Sequence, residues 1–191
     1  MPTSVIAWTV AALLVFWGVG AYNRLMRLRA EASAAFGVLD AELTRHVDLV
    51  RHQLPPPDAT QPAPLWEEAN LWAGLHAAAT QFAASLAAAR SRPLEPERIA
   101  ALSAAQDVLA TAWERAERDD AHDLAGPRLP DTVTAQRAQL ALQTHAATNQ
   151  FNHAVARYNE AIAQFPAVLL AWLFGFKAGR GVVHAHPSAQ P

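Results

Sequence analysis

The sequence has no cysteine, which excludes disulfides, thiol nucleophiles and thiolate metal sites together while leaving the compartment open. Its 8 glycines lie in the first apolar run, singly further on, or near the C-terminus. That distribution builds neither a phosphate-cradling loop nor a nucleophile elbow. No Glu-x-x-His occurs, so the paired motif of ferritin-like di-metal bundles is missing. A formal net charge of −2 supplies no basic field for nucleic acid. No side chain before Arg24 is charged.

That last absence frames what is present. Residues 5–21 are almost purely apolar, close to the ~20 residues a bilayer-crossing helix needs. Arg24, Arg27 and Arg29 follow at once. Basic flanks are retained in the cytoplasm and a tail of four residues is easily translocated, so the spacing predicts a single-pass inner-membrane anchor with the N-terminus outside. The alternative is a cleaved secretory signal, for which Val19-Gly20-Ala21 resembles the cleavage site but the charge order is reversed. Trp8 belongs near the outer headgroups, and Trp17 and Tyr22 near the inner ones.

Composition sets the rest of the class. The chain is 191 residues long, 52% hydrophobic and 17% charged, and much of the apolar share is alanine, which favours helices over strands. With the anchor set aside, one core's worth of sequence remains. Leu25, Leu28, Ala32, Phe36, Leu39, Leu43, Val47, Val50 and Leu54 recur at steps of 3, 4 and 4. That period of about 3.67 residues per turn keeps one face aligned along a nearly straight helix. The first helix is therefore expected over 3–54, ended by Pro55-Pro56-Pro57 because consecutive prolines remove donors and force extended backbone. Gly37, in mid-helix, implies close approach by a neighbouring helix.

A second helix is expected from Pro64 to about Arg90, with Leu65, Trp72, Leu75, Ala79, Phe82 and Leu86 as its seam. A third over about 96–121 carries Ile99, Leu102, Leu109, Trp113 and Ala116 on one side. A fourth, capped by Asp131 or Thr132, carries Leu140, Ala147, Phe151, Ala154, Tyr158, Ile162 and Phe165 until Pro166. Short connections imply antiparallel neighbours. The fold class is all-α: an N-terminal transmembrane helix continuing into an antiparallel up-down four-helix bundle. Three regions follow, an anchor over 1–22, a bundle over 23–176 and a flexible tail over 177–191.

Two stretches carry a family resemblance. One is Tyr22-Asn23-Arg24-Leu25 running on to Asp40, Leu43, Arg45 and Asp48-Leu49. The other is Asn152-His153-Ala154-Val155-Ala156-Arg157-Tyr158-Asn159 with Phe165-Pro166 and Gly175-Phe176. Together they resemble the LemA family, whose members have a short external N-terminus, one transmembrane helix, a Tyr-Asn start and a second Tyr-Asn before a Phe-Pro break. The middle of the chain departs from that pattern. Val50-Arg51-His52 stands where a Pro-Asn pair is expected, and the Tyr and His-Glu of the second helix are missing. The resemblance implies a long helical bundle, a membrane address and no settled biochemical activity. Family members are associated with membrane-linked processes, including formation of bacterial magnetosome membranes.

The polar residues point to packing more than to chemistry. Asp48 with His52, or Asp119 with His122, share a helical face, but each pair is too few for a metal site. No cofactor is expected. Tyr158 and Asn159, like Tyr22 and Asn23, suit a helix seam, with the ring buried and the amide bonded to a neighbouring helix. Arg45 and Asp48 are spaced to pair.

The last apolar run, 167–176, holds Trp172, Phe174 and Phe176 ahead of Lys177 and Arg180. Ten helical residues reach only about 15 Å, too short to cross a bilayer. Up-down topology returns this run to the headgroups, where its aromatics enter the interface and its basic residues meet anionic lipid; the alternative is a cap on the bundle core. The function expected is a membrane-anchored interaction or scaffolding module on the cytoplasmic side, not an enzyme, with the lipid bilayer and a protein partner or further copies as its contacts. A membrane-shaping homo-oligomer and an enzyme with an unrecognised carboxylate or His site are the rival readings.

Overall fold

The structure, a computed structural model, describes residues 2–54, 66–121, 129–165 and 167–183. The expected starts at Pro64 and Leu65, the loop around Gly126, and Pro166 lie outside these residues. The chain is all-α, with five helices among the described residues: α1 (Pro2–Gln53), α2 (Trp66–Ser91), α3 (Pro96–Ala121), α4 (Asp131–Ala163) and α5 (Ala167–Phe174).

The 3-4-4 stripe of α1 organises the core. All nine of its residues from Leu25 to Leu54 are buried, because that period keeps them on one line of the helix surface. α4 lies along this line, running the opposite way. Leu25 and Leu28 meet Tyr158 and Ala161, and Phe36 meets the Phe151 ring edge-on at 5.5 Å. Further along, His46 reaches Thr144. The seams expected in α2 and α3 are buried too, from Trp72 to Leu86 and from Ile99 to Ala116.

α2 and α3 form a tight antiparallel pair. Their turn is closed by Arg98, which pairs with Glu95 and donates to the Ala88 carbonyl at 3.0 Å and to Ser91 Oγ at 3.1 Å. The Arg98 bond holds the Glu95 carboxyl below its ordinary range. This pair is shorter than α1. The last turn of α2 stands level with Asp40, whose carboxylate accepts from Arg90 Nε at 2.7 Å while Arg90 also donates to Thr44 Oγ1 at 2.8 Å.

Three local expectations are corrected. The residue before α4 is Pro130, with no side-chain cap; the Val133 and Thr134 amides bond the Pro130 carbonyl instead. Gly37 is exposed, with nothing within 4 Å of the place a Cβ would occupy, so no helix approaches it and nothing in the structure explains it. Arg45 pairs with Glu42 at 2.8 Å rather than with Asp48.

The larger difference lies at the C-terminus. Residues 177–183, expected as the start of a flexible tail, run extended along α4, and Val182 is part of the hydrophobic core. α3 and α4 have no α-carbons within 8 Å of each other among the described residues. Arg137 bridges them at one end, pairing with Glu117 and stacking over the Trp113 ring at 5.1 Å. The extended segment fills the space at the other end, where the Val183 amide donates to Ser103 Oγ at 3.4 Å. Residues 184–191, including His184 and His186, lie outside the described residues.

Candidate functional site

α1 carries an exposed apolar stretch long enough to cross a membrane. Its large side chains are exposed, Phe16 at 81% and Trp8 at 77% among them, in contrast to the buried stripe over residues 25–54. Continuous exposed apolar surface of this extent belongs against lipid or another protein.

The other end of the chain comes back to the same level. Phe165 lies on Trp17 with ring centroids 5.3 Å apart, and Tyr22 meets Phe174 at 5.4 Å and Phe176 at 6.1 Å. Helix α5 docks through its small face, burying Ala167 and Ala171, which are four residues apart and so share one side. Of its large residues Leu169, Trp172 and Leu173 are exposed, Trp172 at 84%, and Phe174, exposed as well, leans on Tyr22. The run expected either to enter the interface or to cap the core thus divides: Ala167, Ala171 and the half-buried Phe176 face the bundle, and Leu169, Trp172 and Leu173 face outward.

Helix α5 stops by a definite device. Gly175 takes φ +70°, a conformation in which a Cβ would be crowded. The Phe176 amide donates back to the Ala171 carbonyl at 2.9 Å, the six-to-one bond of a Schellman ending. That reversal turns Phe176 under Tyr22 and beneath Arg29, whose guanidinium sits 5.9 Å from the Phe176 ring centre.

Basic residues ring this level. Arg24, Arg27, Arg29, Lys177 and Arg180 are all exposed. Arg24 reaches the Gln164 carboxamide at 3.4 Å and Arg27 the Glu31 carboxylate at 3.7 Å. Trp17, Arg24, Gln164 and Phe165 border a cleft of about 240 Å³ at the junction of α1, α4 and α5.

The residues that carry the family resemblance fall into separate places. Tyr158 is buried with Leu25 and Leu28; burial raises the pKa of its hydroxyl, and the positive charge of Arg29 acts the other way. Asn159 bonds the C-terminal segment, not a neighbouring helix. Leu43 is core, Asp40 holds Arg90, and Tyr22 meets the aromatics of α5. Asn23 is exposed, Arg45 and Asp48 line a shallow groove with His52, and Pro166 lies outside the described residues. These positions do not converge on one pocket. No family model, curated protein or solved structure matches the chain.

Among the described residues no group of three or more His, Asp or Glu could hold a metal ion. His46 is half-buried and bonded to Thr144 Oγ1 at 3.0 Å. Its pKa is pulled below the ordinary histidine value first by burial and then by Arg137, against a Leu140 backbone bond and Glu42. A neutral, partnered imidazole in a helix seam is a packing element.

Sequence reading passed over Asn152 as a site residue. Its signal was the spacing to Asn159, seven residues and so on one side of the helix, opposite a Gly-x-Gly near the C-terminus.

Proposed function

We propose that this chain is a LemA-like, membrane-anchored helical bundle. On this reading it crosses the inner membrane once, its bundle faces the cytoplasm, and it serves as an interaction or scaffolding module with no reaction of its own. The observation that carries the reading is the meeting of two exposed apolar surfaces from opposite ends of the chain, joined by the Trp17–Phe165 and Tyr22–Phe174 contacts.

Exposed apolar area of this kind is unfavourable in water at roughly 25 cal/mol per Å², so two such surfaces at one level favour a shared apolar environment. The order along α1 supports a bilayer: an uncharged stretch, then Trp17 and Tyr22, then Arg24, Arg27 and Arg29. α5 then lies along the inner interface, and the exposed Lys177 and Arg180 beyond it add positive charge that favours anionic headgroups, on the order of 1 kcal/mol for each that comes near the surface. The Tyr22-Asn23 and Tyr158-Asn159 stretches support the family reading.

Reporter fusions test the topology. A reporter active only in the cytoplasm, fused after Pro191, is expected to work and a periplasm-active one to fail. The reverse pattern would mean export, and would restore the cleaved-signal reading.

A further inference from the structure

The segment 176–183 is held in the manner of a bound peptide. Asn159 donates from Nδ2 to the Gly179 carbonyl at 2.8 Å and accepts the Gly179 amide on Oδ1 at 2.8 Å. Asn152 does the same to Val182, at 2.9 Å and 2.8 Å. Each carboxamide therefore stands where one residue of a facing antiparallel strand would stand, exchanging both bonds with its partner. The spacing matches: seven residues of helix rise about 10.5 Å, and three residues of extended chain span about 10 Å.

Recognition is by backbone, but the side chains set the register. A Cβ at Gly181 would lie 2.6 Å from Asn152 Oδ1, and one at Gly179 would lie 3.3 Å from both Leu94 and Val155. Val182 fills the core at 3% exposure. The groove thus accepts Gly-x-Gly-Val in one register, and the sequence that supplies this pattern is the chain's own.

We propose that this groove also takes the same segment from a second copy, so that neighbouring copies in one membrane exchange residues 176–183. Docking within a chain and between chains uses identical contacts, so exchange is close to neutral in energy and local concentration decides it. The segment belongs to no helix ladder and is joined to α5 through Gly175, so it opens more readily than the helices do. Anchored copies hold groove and segment at the same height above the bilayer. That equal height rests on the anchored reading of α1.

The absence of cysteine permits a direct test with the full chain. Two differently tagged forms, Ser103→Cys and Val183→Cys, are co-expressed and treated with a short thiol crosslinker in native membranes. A doubly substituted chain, which brings the two sites together within one molecule, is the positive control, and Ser103→Cys paired with Leu142→Cys reports random collision.

The expected result is a mixed-tag dimer well above the collision level. It falls to that level when Gly181→Val is placed in the Val183→Cys copy, or when Asn152→Ala and Asn159→Ala are placed in the Ser103→Cys copy. Gly181→Val in the Ser103→Cys copy, whose groove it empties, leaves the yield unchanged or raised, which separates blocked docking from misfolding. A mixed-tag dimer at the collision level, while the doubly substituted chain crosslinks within itself, overturns exchange. So does a dimer indifferent to these substitutions. Carbonate extraction of the same membranes decides the anchored reading separately.

Discussion

The Asn159 side chain bonds both the amide and the carbonyl of Gly179, each at 2.8 Å, and so fastens a stretch without secondary structure to the longest helix after α1. Replacing Asn159 by Ala removes both bonds and leaves two half-buried backbone groups without these partners, a loss of about 1–3 kcal/mol. Urea unfolding in detergent measures it as a lower midpoint at unchanged slope. Asn159→Asp keeps only the accepting half and sets a carboxylate against the Gly179 carbonyl, so it is expected to lose stability as well. An unchanged midpoint in both variants would mean the segment contributes nothing to the fold.

Two glycines separate clashing from open positions. Gly181→Ala forces a Cβ to 2.6 Å from Asn152 Oδ1 and is expected to destabilise. Gly37→Ala enters open space in an exposed helix interior and is expected to stabilise by about 0.5–1 kcal/mol. Opposite shifts in the thermal midpoint support this assignment; shifts of the same sign refute it.

Much of this fold was legible because helices write their buried faces at regular steps. The stripe from Leu25 to Leu54 needed nothing beyond its 3-4-4 period, and the seams of α2 and α3 followed the same rule. Phe165 continues the stripe of α4 yet stands 69% exposed against Trp17: periodicity tells which residues share a side, not whether protein or lipid covers it. Residues 177–183 were illegible for another reason. They dock through backbone groups, which every residue carries, and Lys177, Gly179, Arg180 and Gly181 read as solvent-loving tail. Only the spacing of Asn152 and Asn159 marked their partner.

The seam near the far end of the bundle is expected to respond to pH through His46. Burial, aided by Arg137, depresses its folded pKa against Glu42 and the Leu140 backbone. The unfolded side chain therefore takes up a proton at a pH where the folded one stays neutral. Stability contributed at neutral pH falls as pH drops below about 6.5, and stops falling once the depressed folded value is passed. Unfolding midpoints at pH 7.5 and pH 5 (about, set by that ordinary value) are expected to differ more for the native chain than for His46→Gln. Equal differences would remove His46 from the account.

The contact of Phe36 with Phe151 lies at the centre of the α1–α4 seam. Phe151 is fully buried, so Phe151→Ala is expected to destabilise by about 3–5 kcal/mol through lost transfer energy and the cavity left behind. Calorimetry in detergent gives the value, and a change below about 1 kcal/mol would mean that the seam collapses freely around the smaller side chain.

The proposed placement of α5 against lipid is tested most directly by depth quenching. Trp172→Cys and Leu142→Cys, each the one thiol in its chain, carry the same fluorophore in vesicles whose lipids bear headgroup-level quenchers. Both sites are exposed, at 84% and 75%. Position 142 lies near the level of His46, which bonds Thr144, and so about 36 Å along α1 from Tyr22 at ~1.5 Å per residue. The expected result is strong quenching at 172 and none at 142; equal quenching at the two positions, or quenching at 142 alone, would contradict a bundle standing on the membrane with α5 at its surface.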